Sequence, residues 1–174
     1  PITYQLYGGD HHTRIRQEVV LGIGGVRALR GLGLAPTVWH VNEGHAAFLV
    51  LERCRELTAA GQDFDSALEQ AAASTVFTTH TPVPAGHDIF PARLLHEHVA
   101  PYLGELGIEA ERFFALGATP RSPDAFNMTA LALRGSRFHN GVSRIHGDVG
   151  AEMEAYVWPQ IPPPENPLGY VTNG

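Results

Sequence analysis

The sequence has a single cysteine, no long apolar run and no excess of positive charge, and each feature excludes a class of protein. Cys54 alone forms no disulfide within the chain and supplies no cysteine-rich zinc site. Because no apolar segment reaches the thickness of a bilayer, we predict no membrane-spanning helix. The net charge of −6 argues against general nucleic-acid binding, which uses basic surface. These features favour a reducing cytoplasm as the location.

The 174 residues are enough for one domain with a sizeable core, since 44% of them are hydrophobic. The chain begins at Pro1 without an initiator methionine and stops at Gly174, directly after a strand-like stretch. Both ends therefore look cut from a longer protein. Patterns typical of strands alternate with patterns typical of helices, which predicts an α/β fold with a parallel sheet and helices on both faces.

Apolar periodicity and turn residues predict the individual elements. Beside a short extended segment at Ile2–Tyr7, we predict strands at Thr37–Val41, from about Ser74 to Thr79, within Arg137–Ser143 and from Gly169 onward. Helices are predicted at His12–Leu32, Ala46–Thr58, Phe64–Ala73, Phe90–Leu103, Glu109–Leu116, Phe126–Arg134 and from Ser143 to Tyr156. The arginines of the first helix, Arg14 among them, are expected to be solvated. The proline-rich stretch Pro159–Pro167 is expected to be an extended surface linker.

The stretch Ser74–Asp88 organises the rest of the chain. It begins with β-branched and aromatic residues that suit a strand, and it continues into a loop at Pro82 and Pro84, which lack the N–H that a strand ladder needs. His80 is thus expected where the strand ends, and ligands of open α/β sheets bind outside that end. The alternative is that His80 only ends the strand and bonds its own backbone.

Gly22-Ile23-Gly24-Gly25 is similar to a dinucleotide-binding loop, but such a loop follows a strand and opens a helix. Here the glycines lie inside a predicted amphipathic helix, so close packing of that helix is the better interpretation.

Four short polar segments follow predicted strands. They are Asn42–His45, Thr79–Thr81, His139–Gly141 and Thr172–Gly174. If all four lie at one edge of a sheet, their amides, imidazoles and hydroxyls line a polar cleft that suits the hydroxyl groups of a sugar.

Several blocks of the chain resemble the α-glucan phosphorylases, most of all their short bacterial branch. The central block is FTTHTPVPAGHD at 77–88, the catalytic-loop signature of that family. The others are LYGGD at 6–10 followed by RIRQE at 14–18, WHVNEGHA at 39–46, FNMT at 126–129, NGVSRIH at 140–146 and VTNG at 171–174. The blocks occur in the family's order over nearly the whole chain.

The resemblance implies a retaining phosphorolysis of α-1,4-glucan that yields glucose 1-phosphate. It implies that His80 offers its backbone carbonyl to the developing oxocarbenium ion and its ring to the sugar 6-hydroxyl, which Asn173 also bonds. The implied substrate-binding residues are Asp10 on a mobile gate, Asn42, Glu43 and His45 near the sugar, and Asn140 and Val142 in the same pocket. Relative to the family, Glu43 replaces an aspartate, Thr79 replaces an asparagine and the gate loop is short.

The family has two lobes of the GT-B type and uses pyridoxal 5'-phosphate bound to a lysine of the second lobe. No stretch of this chain resembles that lysine motif, so residues 1–174 are interpreted as part of the N-terminal lobe and as inactive alone. The implied partners are an α-glucan, inorganic phosphate and the C-terminal lobe, and a homodimer is left open. No metal is expected.

Two rival interpretations come from other classes of protein. Ten histidines suggest a metal-dependent hydrolase, but no pair of them has the helical i, i+4 spacing with a glutamate that zinc peptidases use. A non-catalytic module that binds carbohydrate or mediates assembly has the same composition as part of an enzyme. A glycosidase with two carboxylates is less favoured, because no pair of acids stands out at the predicted cleft.

Overall fold

A parallel sheet of four strands, in the order β1-β2-β5-β6, is the centre of the fold. The computed structural model describes Ile2, Tyr4 and residues 9–83 and 86–173. The strands of the sheet are β1 Trp39–Asn42, β2 Thr75–Thr79, β5 Phe138–Gly141 and β6 Leu168–Tyr170. The predicted α/β class with a parallel sheet and packed helices is confirmed. The extended segment predicted at Ile2–Tyr7 lies mostly outside the described residues.

The α-helices of the described residues are α1 His11–Val19, α2 Gly25–Gly31, α3 Phe48–Ala59, α4 Phe64–Ala73, α5 Ala92–Leu106, α6 Ala110–Gly117, α7 Met128–Arg134 and α8 Arg144–Met153. Four of them, α1, α4, α7 and α8, begin at a capping side chain. Asp10, Asp63 and Ser143 each accept a hydrogen bond from the backbone N–H three residues further on, which satisfies a donor that the helix leaves free. Among the described helices, none has the length and apolar character that crossing a membrane requires.

The first predicted helix is continuous but not uniform, because a π-helical segment, Val20–Gly24, joins α1 to α2. Within it, Gly22 packs against α3. A Cβ at Gly22 would lie 2.7 Å from the Cβ of Phe48 and 2.8 Å from the backbone nitrogen of Leu49, so only glycine allows this approach. Close helix packing is thus confirmed for Gly22, whereas Gly25 has no such neighbour within 4 Å.

A second, two-stranded sheet corrects two of the predicted helix starts. The strands β3 Ile89–Pro91 and β4 Ala125–Asn127 pair antiparallel, with Phe90 opposite Phe126. Both phenylalanines are buried, so the apolar pattern is real, but it belongs to short strands that pack on the core before each helix begins. The prediction for the proline-rich stretch is also wrong in part, because Pro163–Glu165 forms a 3-10 turn.

Candidate functional site

The polar segments after the strands meet at the carboxyl edge of the main sheet. Asn42 is in register with Thr78, and Thr78 with Asn140. The Nε2 of His80 lies 2.8 Å from the Oδ1 of Asn42, and the Oγ1 of Thr78 donates to the Oδ1 of Asn140 over 3.0 Å. The alternative that His80 bonds only its own backbone is therefore wrong, since its ring contacts a side chain of the neighbouring strand.

Val142 and Asn173 lie side by side at the same edge. The chain after β6 continues parallel to the chain after β5, because Val171 N–H donates to the carbonyl of Gly141 at 3.0 Å and Asn173 N–H donates to that of Val142 at 3.2 Å. Asn173 is exposed and Val142 is half-buried. The structure thus brings these two predicted site residues together, with Val142 just after the strand of Asn140 and Asn173 after the neighbouring strand β6.

Glu43 has a strained backbone conformation, and its side chain binds the backbone of His80. Among the described residues, it is the only non-glycine with positive φ, at 66°, and its ψ is 172°. That region is nearly restricted to glycine and costs a side chain about 1–3 kcal/mol. The carboxylate of Glu43 accepts hydrogen bonds from the N–H of His80 and from the hydroxyl of Thr81. The strain is therefore retained at a residue that fixes the start of the loop after β2.

Replacing Glu43 with glycine is expected to give a more stable protein than replacing it with alanine, by about 1 kcal/mol. Both changes remove the carboxylate and its hydrogen bonds, but only alanine keeps the Cβ that the positive φ strains. Urea unfolding of the two variants measures the difference.

Glu97, exposed in the middle of α5, provides the matched control. At this position we expect the opposite order of stability. The alanine variant should be more stable than the glycine variant by about 1 kcal/mol, because alanine is the better helix former. If alanine is also the more stable residue at position 43, the backbone at Glu43 is not strained.

A polar cavity of about 340 Å³ lies beside the loop that follows His80. Of the predicted site residues, Glu43 and His45 line it. Asp10 lines an adjoining recess of about 420 Å³ and uses its carboxylate to cap α1. The polar lining of the cavity includes Arg14, Glu43, His45, Thr81, Asp88 and Thr129.

The charge of Arg14 in this cavity is balanced by Asp88. The guanidinium lies 2.9 Å from Asp88 and 3.1 Å from Glu18. Burial, together with the charge of Asp88, raises the pKa of Glu18 to about 9, although Arg14 acts in the opposite direction. The contact between Arg14 and Glu18 has the geometry of an ion pair, but the raised pKa of Glu18 favours its neutral form at pH 7. The prediction that Arg14 is solvated is wrong, since its side chain is only 14% exposed.

His45 lines the cavity with a partly buried ring whose surroundings favour the uncharged form. Burial lowers the pKa of His45, while the charges of Asp88 and Glu43 act against that shift. A neutral imidazole both donates and accepts a hydrogen bond, as do the hydroxyls of Thr81 and Thr129. Such a lining suits an uncharged ligand with many hydroxyl groups. Within residues 9–83 and 86–173, no group of three or more His, Cys, Asp or Glu side chains is placed to hold a metal ion.

Comparison with known proteins finds phosphorylases among the relatives of the chain. No family model matches the chain. It is 48% identical to the glycogen phosphorylase of Mycobacterium tuberculosis over 99% of its own length, and 44% identical to the maltodextrin phosphorylase of Thermococcus litoralis over 97%. The chain is homologous to one segment of these phosphorylases. The glycogen phosphorylase of Aquifex aeolicus is 33% identical over 99% of the chain. The phosphorylase segment spans 21%, 20% and 25% of the three relatives.

Sequence reasoning missed four residues that line the cavity of this phosphorylase segment: Arg14, His87, Asp88 and Thr129. Each of them lies inside a block that resembles the family, so the blocks contained a signal. No role was assigned to them, because helical periodicity places Arg14 on a polar face and an acid at the end of a loop has no distinctive spacing.

The cofactor implied by the resemblance does not fit the residues of this phosphorylase segment. Pyridoxal phosphate is held by a lysine through a Schiff base. All twelve residues in the Lys+Arg total are arginines, so the chain has no lysine. The segment therefore offers no attachment point for that cofactor.

Proposed function

We propose that the chain is part of the glucan-binding face of an α-1,4-glucan phosphorylase, which transfers a terminal glucosyl unit to inorganic phosphate to give glucose 1-phosphate. In that reaction the bond from C1 to the next sugar breaks, and a bond from C1 to a phosphate oxygen forms with retention. The observation that carries the proposal is the contact between His80 and Asn42 at the carboxyl edge of the sheet, beside a polar cavity. The names of the relatives agree with it.

The hydrogen bonds of His80 suggest how it meets a sugar. The Oδ1 of Asn42 can only accept, so the Nε2 of His80 carries the proton and its Nδ1 is left to accept one from a sugar hydroxyl. Asn173, at the same edge, would bond the same hydroxyl. Glu43 fixes the backbone through the N–H of His80, so the carbonyl of His80 could face developing positive charge without reorganising.

The cavity residues would bind the remaining hydroxyls. His45 would donate or accept, and the hydroxyl of Thr81, which already donates to Glu43, would accept. Glu43 and Asp88 would accept, and Arg14 would donate. In this proposal residues 1–174 belong to the N-terminal lobe of a two-lobed GT-B enzyme, and the lysine that binds pyridoxal phosphate lies elsewhere in the complete protein.

A non-catalytic module that binds carbohydrate is the second candidate. It rests on the polar cavity and the sheet edge beside it, which suit a sugar whether or not a reaction follows. The two candidates use the same site and differ only in whether glucose 1-phosphate is formed in the complete protein.

A chimera tests the proposal. The chain replaces the matching segment of the Mycobacterium tuberculosis relative, and glucose 1-phosphate is measured after addition of glycogen and phosphate. We expect the chimera to be active. His80→Ala in the chimera should lower kcat/KM by about ten- to a hundredfold, the loss expected when one or two ligand hydrogen bonds are removed. The isolated chain, mixed with glucan, phosphate and pyridoxal phosphate, should give no product.

His96, exposed on α5, provides the control, and His96→Ala should leave kcat/KM unchanged. A chimera that folds but makes no glucose 1-phosphate contradicts the enzymatic proposal and leaves the binding module. Turnover by the isolated chain contradicts the need for a second lobe.

A further inference from the structure

A buried acid–base pair lies at the far end of the loop that carries His80. The Nδ1 of His87 is 3.6 Å from the Oε1 of Glu154, and the two side chains are 4% and 2% exposed. His87 lines both the cavity and the adjoining recess. Glu154 is the residue that follows α8. The pair therefore connects the end of the His80 loop to the end of a helix.

Several polar atoms of this cluster are poorly paired. Neither carboxylate oxygen of Glu154 nor the Nε2 of His87 makes a hydrogen bond of good geometry with a described residue. Burial raises the pKa of Glu154, although the hydroxyl of Tyr156 is near enough to Glu154 to act in the opposite direction and lower its pKa. Burying polar groups without full pairing is unfavourable, and an apolar replacement of such a pair is often neutral or stabilising. Stability alone therefore does not account for His87 and Glu154.

The pair of His87 and Glu154 is one of the contacts that hold the two ends of the loop beside the candidate site. The loop is held at its start by Glu43, which binds the N–H of His80. Near its end, Asp88 pairs with Arg14 of α1 and His87 pairs with Glu154. The helix α8 begins directly after Ser143, next to Val142 at the sheet edge. Glu154 thus ties the loop to a helix that itself starts at the site.

We propose that His87 and Glu154 are positioning residues that hold the His80 loop in its glucan-binding arrangement. This inference rests on the proposed function. Neither residue is assigned contact with the reacting atoms. Their role is to hold the end of the loop, at His87 and Asp88, so that the ring of His80 at its start stays beside Asn42.

The double variant His87→Leu/Glu154→Leu in the chimera separates positioning from stability. We expect a melting temperature equal to or above that of the parent chimera, because an apolar pair replaces a poorly satisfied polar one. We expect kcat/KM for glycogen to fall about tenfold, mainly through KM. The single variant His87→Asn keeps a hydrogen-bond donor near the position of Nδ1. Its kcat/KM should therefore be closer to that of the parent chimera than to that of the double leucine variant. If the double variant does not fold, the single variant Glu154→Gln replaces it in the test, because glutamine has nearly the same shape as glutamate. We expect this variant also to raise KM.

Arg93 and Glu97, an exposed pair on α5 with 3.8 Å between its charged atoms, provide the control. Their double leucine variant should change neither KM nor kcat. If the parent chimera is active and the His87/Glu154 variants keep its kcat/KM, the positioning role is refuted and the proposed function stands. If the parent chimera is inactive, the proposed enzymatic function fails first and this inference fails with it. A loss of kcat/KM that only follows a loss of melting temperature also refutes positioning.

Discussion

Replacing Phe77 with alanine is expected to lower the free energy of unfolding by about 3–5 kcal/mol. Phe77 is fully buried in β2, between β1 and β5, opposite Val41 on one side and His139 on the other. Removing its ring leaves a cavity that rigid strands on both sides can fill only in part. Because small domains have only about 5–15 kcal/mol of stability, this change removes a large share of it. Urea unfolding measures the effect as a lower midpoint at an unchanged m-value.

Phe138 provides a matched control on the adjacent strand. It is 60% exposed, so Phe138→Ala should change the free energy of unfolding by no more than about 0.5–1 kcal/mol. Equal losses for the two variants would contradict the position of Phe77 in the core, and with it the placement of the strand that carries His80.

The sheet and the edge at which the polar residues gather could be predicted from the sequence. Runs such as Val76-Phe77 are β-branched or aromatic and are followed by Pro82, so both the strand and its end are encoded locally. Once strands alternate with helices, a parallel sheet follows, and parallel strands bring their carboxyl ends to one edge. The meeting of Asn42, His80 and Asn140 follows from that rule and from no other property of these residues.

The features that the sequence did not predict depend on tertiary contacts. Phe90 and Phe126 have the same apolar pattern in a short strand as in a helix, and only their mutual pairing decides between the two. The positive φ of Glu43 is imposed by what its carboxylate binds and by the close packing of Gly44 on α7. Arg14 is partly buried because it pairs with Asp88, 74 residues further along the chain. Helical periodicity, which relates only residues close in sequence, could not predict that contact.

Glu18 makes the stability of this protein depend on pH. Its ordinary pKa of 4.5 applies in the unfolded chain, whereas burial and Asp88 raise the pKa to about 9 in the folded protein. Below pH 4.5 the carboxyl is protonated in both states, and its contribution to stability is full. Between the two values the unfolded chain releases the proton and the folded protein keeps it. The free energy of unfolding therefore falls as pH rises, by up to about 1.4 kcal/mol per pH unit.

Replacing Glu18 with glutamine is expected to remove that slope. Glutamine has nearly the same shape and does not ionise, and it still presents an oxygen to the guanidinium of Arg14. The variant and the parent should be about equally stable near pH 4.5, and the variant should be more stable by about 2 kcal/mol or more at pH 8. Urea unfolding at several pH values between 4.5 and 8 gives the free energy of unfolding of the variant and of the parent as a function of pH. The contributions of all other titrating groups cancel in the difference between the two.

A control at Glu97 tests whether burial of a carboxyl group, and not the carboxyl group alone, causes the dependence of stability on pH. The side chain of Glu97 is 50% exposed on α5, with Arg93 as its partner, so Glu97→Gln should leave the slope of the parent unchanged, because solvent screens the charge of an exposed side chain. Parallel curves for the Glu18 variant and the parent would show that Glu18 is ionised in the folded protein. Arg14 would then share its charge between Glu18 and Asp88, and its hold on the end of the His80 loop would be weaker than the structure indicates.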